Sequence, residues 1–224
     1  MLICLGISLY VSSHAQENEL IFVKAGTRIL DYFPDNVRYR YTDFTFGKVV
    51  FTNGTINSAK LNYNLLSAEM EFLQGKDTLS ILRKKEIDFI SIAQDTFYFE
   101  NGYLEQIACG PFKIGLKQYI KLNKILKKDS YGTRTSGSDK NSYGWLPADG
   151  NFHKLTANED MVYQKTQEYY LSDQSRRFVQ FRKKNVLKLF PDKNSEVQNY
   201  IKSNQINFDS ENDLLKLAGY LRSL

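Results

Sequence analysis

Between Phe46 and Ile107 apolar and polar side chains alternate in short runs broken by turn residues. Phe46-Gly-Lys-Val-Val-Phe51 ends at Asn53-Gly54, and Lys60-Leu-Asn-Tyr-Asn-Leu65 leads to Glu69-Met-Glu-Phe-Leu73. Gln74-Gly-Lys-Asp77 then turns into Thr78-Leu-Ser-Ile-Leu82, and Ile87–Ala93, Thr96–Glu100 and Tyr103–Ile107 complete the series. A period of two is that of strands with one face buried. Asn53-Gly54 and Asn101-Gly102 tolerate positive φ and predict type I′ hairpin turns. Strands this short cannot reach a parallel partner without a long crossover, so a meander of antiparallel neighbours is expected.

The flanks extend the pattern. Glu19–Val23 reads as a strand, and after the Pro34-Asp-Asn36 turn Val37–Tyr41 reads as a half-buried strand or an extended entry into the sheet. Beyond Pro111, Phe112, Ile114, Leu116, Ile120 and Leu122 keep a period of two, with Lys113, Lys117 and Lys121 on the other side. The lysine spacing also fits a helix, but the apolar set decides for a strand. Residues 127–151 read as a long mobile loop holding one aromatic patch, Tyr143-Gly-Trp145. Two more strands are expected near Met161–Leu171 and Arg177–Lys183.

The period then changes to that of helices. Asn185–Phe190 gives a turn or two before Pro191, Ser195-Glu-Val-Gln198 has the form of a capping box, and Ser210-Glu-Asn-Asp213 opens a stripe of Leu214, Leu215, Leu217, Ala218 and Leu221. The expected fold is mainly β (α+β): an antiparallel meander, either open or partly closed like a barrel, with a C-terminal cap of two to three short helices. Residues 16–183 form the β body and 184–224 the cap.

Met1–Ser12 changes the picture, because it is apolar and uncharged. Ser13-His14-Ala15 places small residues three before and one before a cut ahead of Gln16, as in a secretory signal peptide at residues 1–15. The positive n-region that usually precedes such a core is absent. Export to the periplasm, to the outer membrane or out of the cell is expected. Past that segment Cys109 and His153 stand alone of their kinds, so stability must come from packing and not from a disulfide. The 15 Tyr and 15 Phe suit strands. A net charge of +5 permits an anionic partner without requiring one.

Phe44–Gly54, Ala59–Leu66, Glu69–Phe72, Phe190-Pro191 and the tail from Ile201 to Tyr220 together resemble a group of uncharacterised secreted proteins of Bacteroidota. No activity is assigned to that group, so the resemblance implies an envelope location and a strand-rich body with a helical tail, and no catalytic residue.

Several chemistries lack their residues. One Cys and one His cannot build a soft-metal site, so no metal or cofactor is expected. No G-x-S-x-G, P-loop or dinucleotide fingerprint occurs. Asp77, Asp88, Glu100 and Glu105 near strand ends leave a carboxylate pair as an alternative, a hydrolase of glycans or lipids. Asn62 and Asn64 share one strand face and are candidate ligand-binding residues with Tyr143 and Trp145; amides bonded to backbone at a turn are the competing reading. Arg83, Lys84, Lys85, Lys113, Lys117 and Lys121 form a candidate basic surface for an anionic glycan or membrane surface. The expected role is a non-enzymatic binding or structural module of the cell envelope, partnered by an envelope protein, a glycan or an anionic surface. Nucleic acid is not expected as a partner, nor is membrane spanning. A lipid-binding, barrel-like carrier is a further alternative.

Overall fold

The computed structural model describes residues 20–128, 134–137, 156–173, 175 and 177–224. The segment 1–15, Tyr143, Trp145 and His153 lie outside them.

The described strands form one mainly antiparallel sheet: β1 (Leu20–Val23), β2 (Thr45–Phe51), β3 (Ile56–Asn64), β4 (Glu69–Gln74), β5 (Asp77–Ser80), β6 (Ile87–Ile92), β7 (Asp95–Phe99), β8 (Tyr103–Ala108), β9 (Ile114–Lys128), β10 (Arg134–Gly137), β11 (Asp160–Ser172) and β12 (Phe178–Gln180). The spatial order is β1-β11-β9-β8-β7-β6-β2-β3-β4-β5, with β10 beside β9 and β12 beside β11. The sheet is open, since no ladder joins β5 back to β1.

Between β2 and β9 the meander is interrupted once. β6 does not continue from β5 but returns to the free side of β2, pairing Val49 with Ile90 and Val50 with Phe89. Two four-strand meanders, β2–β5 and β6–β9, thus lie side by side, and β5 is left as an edge. The return runs through Arg83, in the left-handed region at φ 53°, and a 3-10 turn at Lys84–Glu86.

The hairpin turns differ from each other. Asn101 and Gly102 both take positive φ, 51° and 127°, but Phe99 pairs with Tyr103 and Glu100 N donates to Gly102 O (2.9 Å), which is not the two-residue register of a type I′ turn. At Asn53-Gly54 only Gly54 takes positive φ, at 83°. Gly54 N donates to Phe51 O (2.9 Å) and Phe51 N to Thr55 O (2.9 Å). This is a three-residue loop closed by a left-handed glycine, not a type I′ turn.

Four boundaries are also corrected. The stretch 127–151, expected as a loop, holds the end of β9 and the whole of β10, which pairs Arg134–Gly137 with Ile125–Lys128. Val37–Tyr41 is not a strand, because Pro34 fixes an extended φ of −61° and caps α2 (Asp35–Arg38). Its carbonyl accepts from Val37 N and Arg38 N, both at 2.9 Å, and only Tyr39 keeps a β-bridge, to Asn64. The strand expected at Arg177–Lys183 covers only Phe178–Gln180, since Lys183 already opens α3 (Lys183–Leu189). Ser195 does not cap a helix: α4 (Asn194–Ser203) begins one residue earlier, directly from a 3-10 turn at Pro191–Lys193, and has no side-chain cap. Ser210 does cap α5 (Glu211–Leu221), its side chain accepting from Asp213 N. The remaining helix is α1 (Ile29–Tyr32).

One face of the sheet carries two apolar clusters. The first joins Leu61, Tyr63, Met70, Ile90, Ile92, Phe97, Tyr103 and Ile120 under Ile29 and Phe33. The second packs Ile114, Leu116, Tyr169 and Leu171 against Val186, Val197, Ile201, Leu214, Leu217 and Leu221 of the three C-terminal helices. β9 serves both, because its even-numbered residues Ile114, Leu116 and Ile120 are all buried. Helices of this length are marginal alone, and the stripe of α5 is their anchor.

Candidate functional site

The β3–β4 ladder joins only Leu61–Asn64 to Glu69–Phe72. Past Phe72, β4 pairs with β5 alone, while β3 from Ile56 to Lys60 pairs with β2. The β4–β5 hairpin therefore splays away from β3, and an open cleft of about 1030 Å³ lies in the curl. Leu61, Phe72 and Leu79 stand directly opposite one another across the three strands and share a face. With Val49, Phe51, Ala59 and Ile81 they make the apolar lining. Asn57, Ser58, Lys76, Asp77, Thr78 and Ser80 add polar groups, and Arg38, Tyr39, Asn64 and Glu71 also line it. Leu79 and Leu82 are exposed. Such volume and lining suit a small apolar-bodied ligand.

The wall is held by the segment Tyr39–Tyr41, whose three consecutive side chains each reach a carboxylate on a different strand. Tyr39 Oη donates to Glu71 Oε2 (2.7 Å) on β4, and Tyr41 Oη to Asp95 Oδ2 (2.6 Å) on β7. Arg40 grips Glu105 on β8 with two bonds, Nε to Oε2 and Nη2 to Oε1, both 2.9 Å. Burial, then the bonded carboxylate, pushes the Tyr39 and Tyr41 phenols up. Burial also pushes up Tyr63 and Tyr103 in the core beneath.

Asn62 and Asn64 lie in this wall, 1% and 4% exposed. Asn62 Oδ1 accepts from Tyr41 N (3.1 Å) and its Nδ2 donates to Tyr41 O (2.8 Å). The amide thus replaces the ladder where the chain leading into β2 breaks away from β3. Asn64 Nδ2 donates to Glu71 Oε1 (2.9 Å), and its Oδ1 accepts from Leu66 N (2.9 Å) and Ser67 N (3.2 Å). Both amides are engaged by protein groups, and of the two Asn64 also lines the cleft.

The acidic candidates are not brought together. Asp77 lines the cleft, Glu105 is tied by Arg40, Asp88 is on β6 and Glu100 in the β7–β8 turn. The carboxylate that does lie in the cleft with Asp77 is Glu71, which sequence reasoning passed over. Its oxygens accept from Tyr39, Asn64 and Ser67, and it is 7% exposed. A carboxylate so engaged is a structural acceptor.

The basic candidates fall into two groups separated by β7 and β8. Arg83, Lys84 and Lys85 sit in the β5–β6 link, where Lys84 Nζ bonds Glu69. Lys113, Lys117 and Lys121 lie along the β9 strand line. Cys109 is exposed, and its carbonyl accepts from Arg222 Nη2 (2.6 Å). Among the described residues no group of three His, Cys, Asp or Glu side chains could hold a metal ion, and no helix is long and apolar enough to cross a membrane.

Residues of the cleft come from Arg38 through Leu82, and nothing in a period-two pattern announces that a hairpin will splay. The one available signal is the pair of apolar residues at the exposed ends of a short edge strand, Leu79 and Leu82. Comparison of the chain with protein-family models, with curated proteins and with solved structures finds no match.

Proposed function

We propose that this chain is a non-enzymatic binding module of the cell envelope that takes an apolar-bodied ligand in the cleft between β3 and the β4–β5 hairpin. The observation that carries the reading is the cleft itself: about 1030 Å³, apolar on the face shared by Leu61, Phe72 and Leu79, and open to solvent. Apolar surface of this kind is costly to leave in water and gains when an apolar body covers it. The engaged state of Glu71 favours holding a ligand over hydrolysing one. The uncharged apolar segment Met1–Ser12 ahead of Ser13-His14-Ala15 supports the envelope location.

The test is titration with N-phenyl-1-naphthylamine, a neutral apolar fluorophore. The wild type should enhance its fluorescence saturably, and Ala59→Trp, which fills the cleft, should weaken binding by about tenfold or more while the fold is kept. Leu82→Asp, at the most exposed apolar position of the lining, should weaken it less. Equal binding by wild type and Ala59→Trp, or no saturable enhancement, overturns the reading.

A further inference from the structure

The opposite face of the sheet, away from both apolar clusters, carries a second arrangement. Residues directly opposed on neighbouring strands share a face, which groups Tyr98 with Leu104, Gln106 with Gly115, Gly115 with Tyr170 and Lys117 with Glu168. Lys113, Lys117 and Lys121 alternate with the buried Ile114, Leu116 and Ile120 and so lie on this face. Four residues of strand separate successive lysines by about 13 Å.

Among the described residues no carboxylate pairs with these lysines. Lys113 Nζ lies 4.3 Å from the Tyr98 ring centroid and bonds its hydroxyl. Lys117 Nζ donates to Asn101 O (2.9 Å) and lies 5.4 Å from the Tyr119 ring centroid. Lys121 makes no polar contact with the described residues. Glu168 stands opposite Lys117, but its oxygens accept from Tyr119 Oη (2.9 Å) and Tyr170 Oη (3.0 Å). The three lysines and one glutamate leave this face net positive.

The rings between the lysines are fixed in place. Tyr98 packs on Phe178 with centroids 5.4 Å apart and donates to Gln106 Oε1 (3.2 Å). A Cβ at position 115 would meet Leu104 Cβ at 3.1 Å and the Phe178 ring at 3.3 Å. Glycine there lets the Phe178 ring and Leu104 close over β9.

We infer that this face binds an anionic polysaccharide, with its acidic groups at Lys113, Lys117 and Lys121 and its sugar rings against Tyr170. The lysines supply charge complementarity, and fixed rings offer flat apolar surface to the C–H faces of sugars. A bilayer fits less well. Lipid headgroups are met by projecting lysines with apolar side chains that insert, whereas Lys113 and Lys117 are folded down onto rings and bonded to particular oxygens. The inference is independent of the cleft.

The probe is an oligogalacturonate, with its methyl ester as the neutral control and phosphatidylglycerol-containing vesicles as the lipid control, titrated with the whole chain by calorimetry. The wild type should bind the oligogalacturonate and not the ester, with affinity falling as salt rises. K113Q/K117Q/K121Q should weaken binding by about tenfold, and Y170L by about threefold without changing the salt dependence. Should the triple variant fail to fold, K121E alone carries the charge test, with a loss of about threefold expected. No binding by the wild type, equal binding of the ester, or lysine variants that bind like wild type would each overturn the inference. Vesicle retention that the lysine changes abolish and the tyrosine change leaves intact, with no oligogalacturonate binding, would assign the face to a lipid surface and overturn it as well.

Discussion

The two apolar clusters on the inner face of the sheet are closed in different ways. At one end the helices α3, α4 and α5 lie over Ile114, Leu116, Tyr169 and Leu171, and Leu214 and Leu217 are fully buried. At the other end the described residues offer only the four-residue helices α1 and α2. There α1, α2 and the segment Tyr39–Tyr41 cover the strands, and polar grips on Glu71, Asp95 and Glu105 hold them. Apolar docking seals its end by area, so it leaves no room. Closure by discrete polar contacts fixes the covering chain at points and leaves the curl of β2–β5 open. The cleft is a consequence of that difference.

The largest expected effect breaks the helical seal. Leu217→Ala removes a fully buried side chain and should cost about 2–5 kcal/mol, read as a fall in the denaturant midpoint. A loss below about 1 kcal/mol would mean that the helices do not depend on this stripe.

The polar closure is probed next. Asn62→Ala leaves Tyr41 N and O without the amide that bonds both, at a cost of about 1–3 kcal/mol. Because this amide is occupied by backbone, the variant that folds should still bind the apolar fluorophore. A variant as stable as wild type that loses ligand binding would instead make Asn62 a ligand contact.

Alkaline pH sharpens the comparison. Burial, assisted by Glu211 and Asp209, pushes the Tyr169 phenol beside the helices up to about 12. On the polar side Tyr39, Tyr41, Tyr63 and Tyr103 are all raised, in each case chiefly by burial. A phenol raised in the folded chain stays protonated there longer than in the unfolded chain, whose ordinary value is 10.0. Its contribution is therefore complete below pH 10 and is lost as pH rises through the folded value. Stability should fall steadily above about pH 10, and Tyr63→Phe should flatten that fall more than Tyr169→Phe. Denaturant midpoints across that range decide the order.

The smallest effect has the opposite sign. Tyr103 Oη is buried without a hydrogen-bond partner among the described residues. Tyr103→Phe should be neutral or stabilising by up to about 1 kcal/mol, and a clear loss in thermal melts would reveal a partner for the hydroxyl.

The sequence was most readable where packing follows a local period. The alternation of Ile114, Leu116 and Ile120 against three lysines marked the first part of β9, although the strand runs on to Lys128, and Ser210 marked the start of α5. It was least readable where distant segments meet. The pairing of β6 with β2 joins residues about forty positions apart, a contact that carries no period of its own. Asn62 and Asn64 read as ligand candidates with backbone-bonded amides as the competing reading, and their bonds to Tyr41, Leu66 and Ser67 backbone match the latter; alternation assigned their face without saying that Tyr39–Tyr41 would cover it. Tyr39-Arg-Tyr41 read as part of a strand or as an extended entry into the sheet, and the bridge of Tyr39 to Asn64 with the bond from Arg40 N to Tyr63 O fits the entry. The segment's side chains are shared among three strands, a role visible only once the carboxylates of Glu71, Asp95 and Glu105 are in place.

Hydrogen–deuterium exchange of the whole chain, with and without saturating N-phenyl-1-naphthylamine, tests the central claim most directly. The account predicts added protection in peptides covering Asn57–Ala59 and Lys76–Leu82, and none in those covering α3, α4 and α5. Protection on the helices, or none at the splayed hairpin, would contradict it.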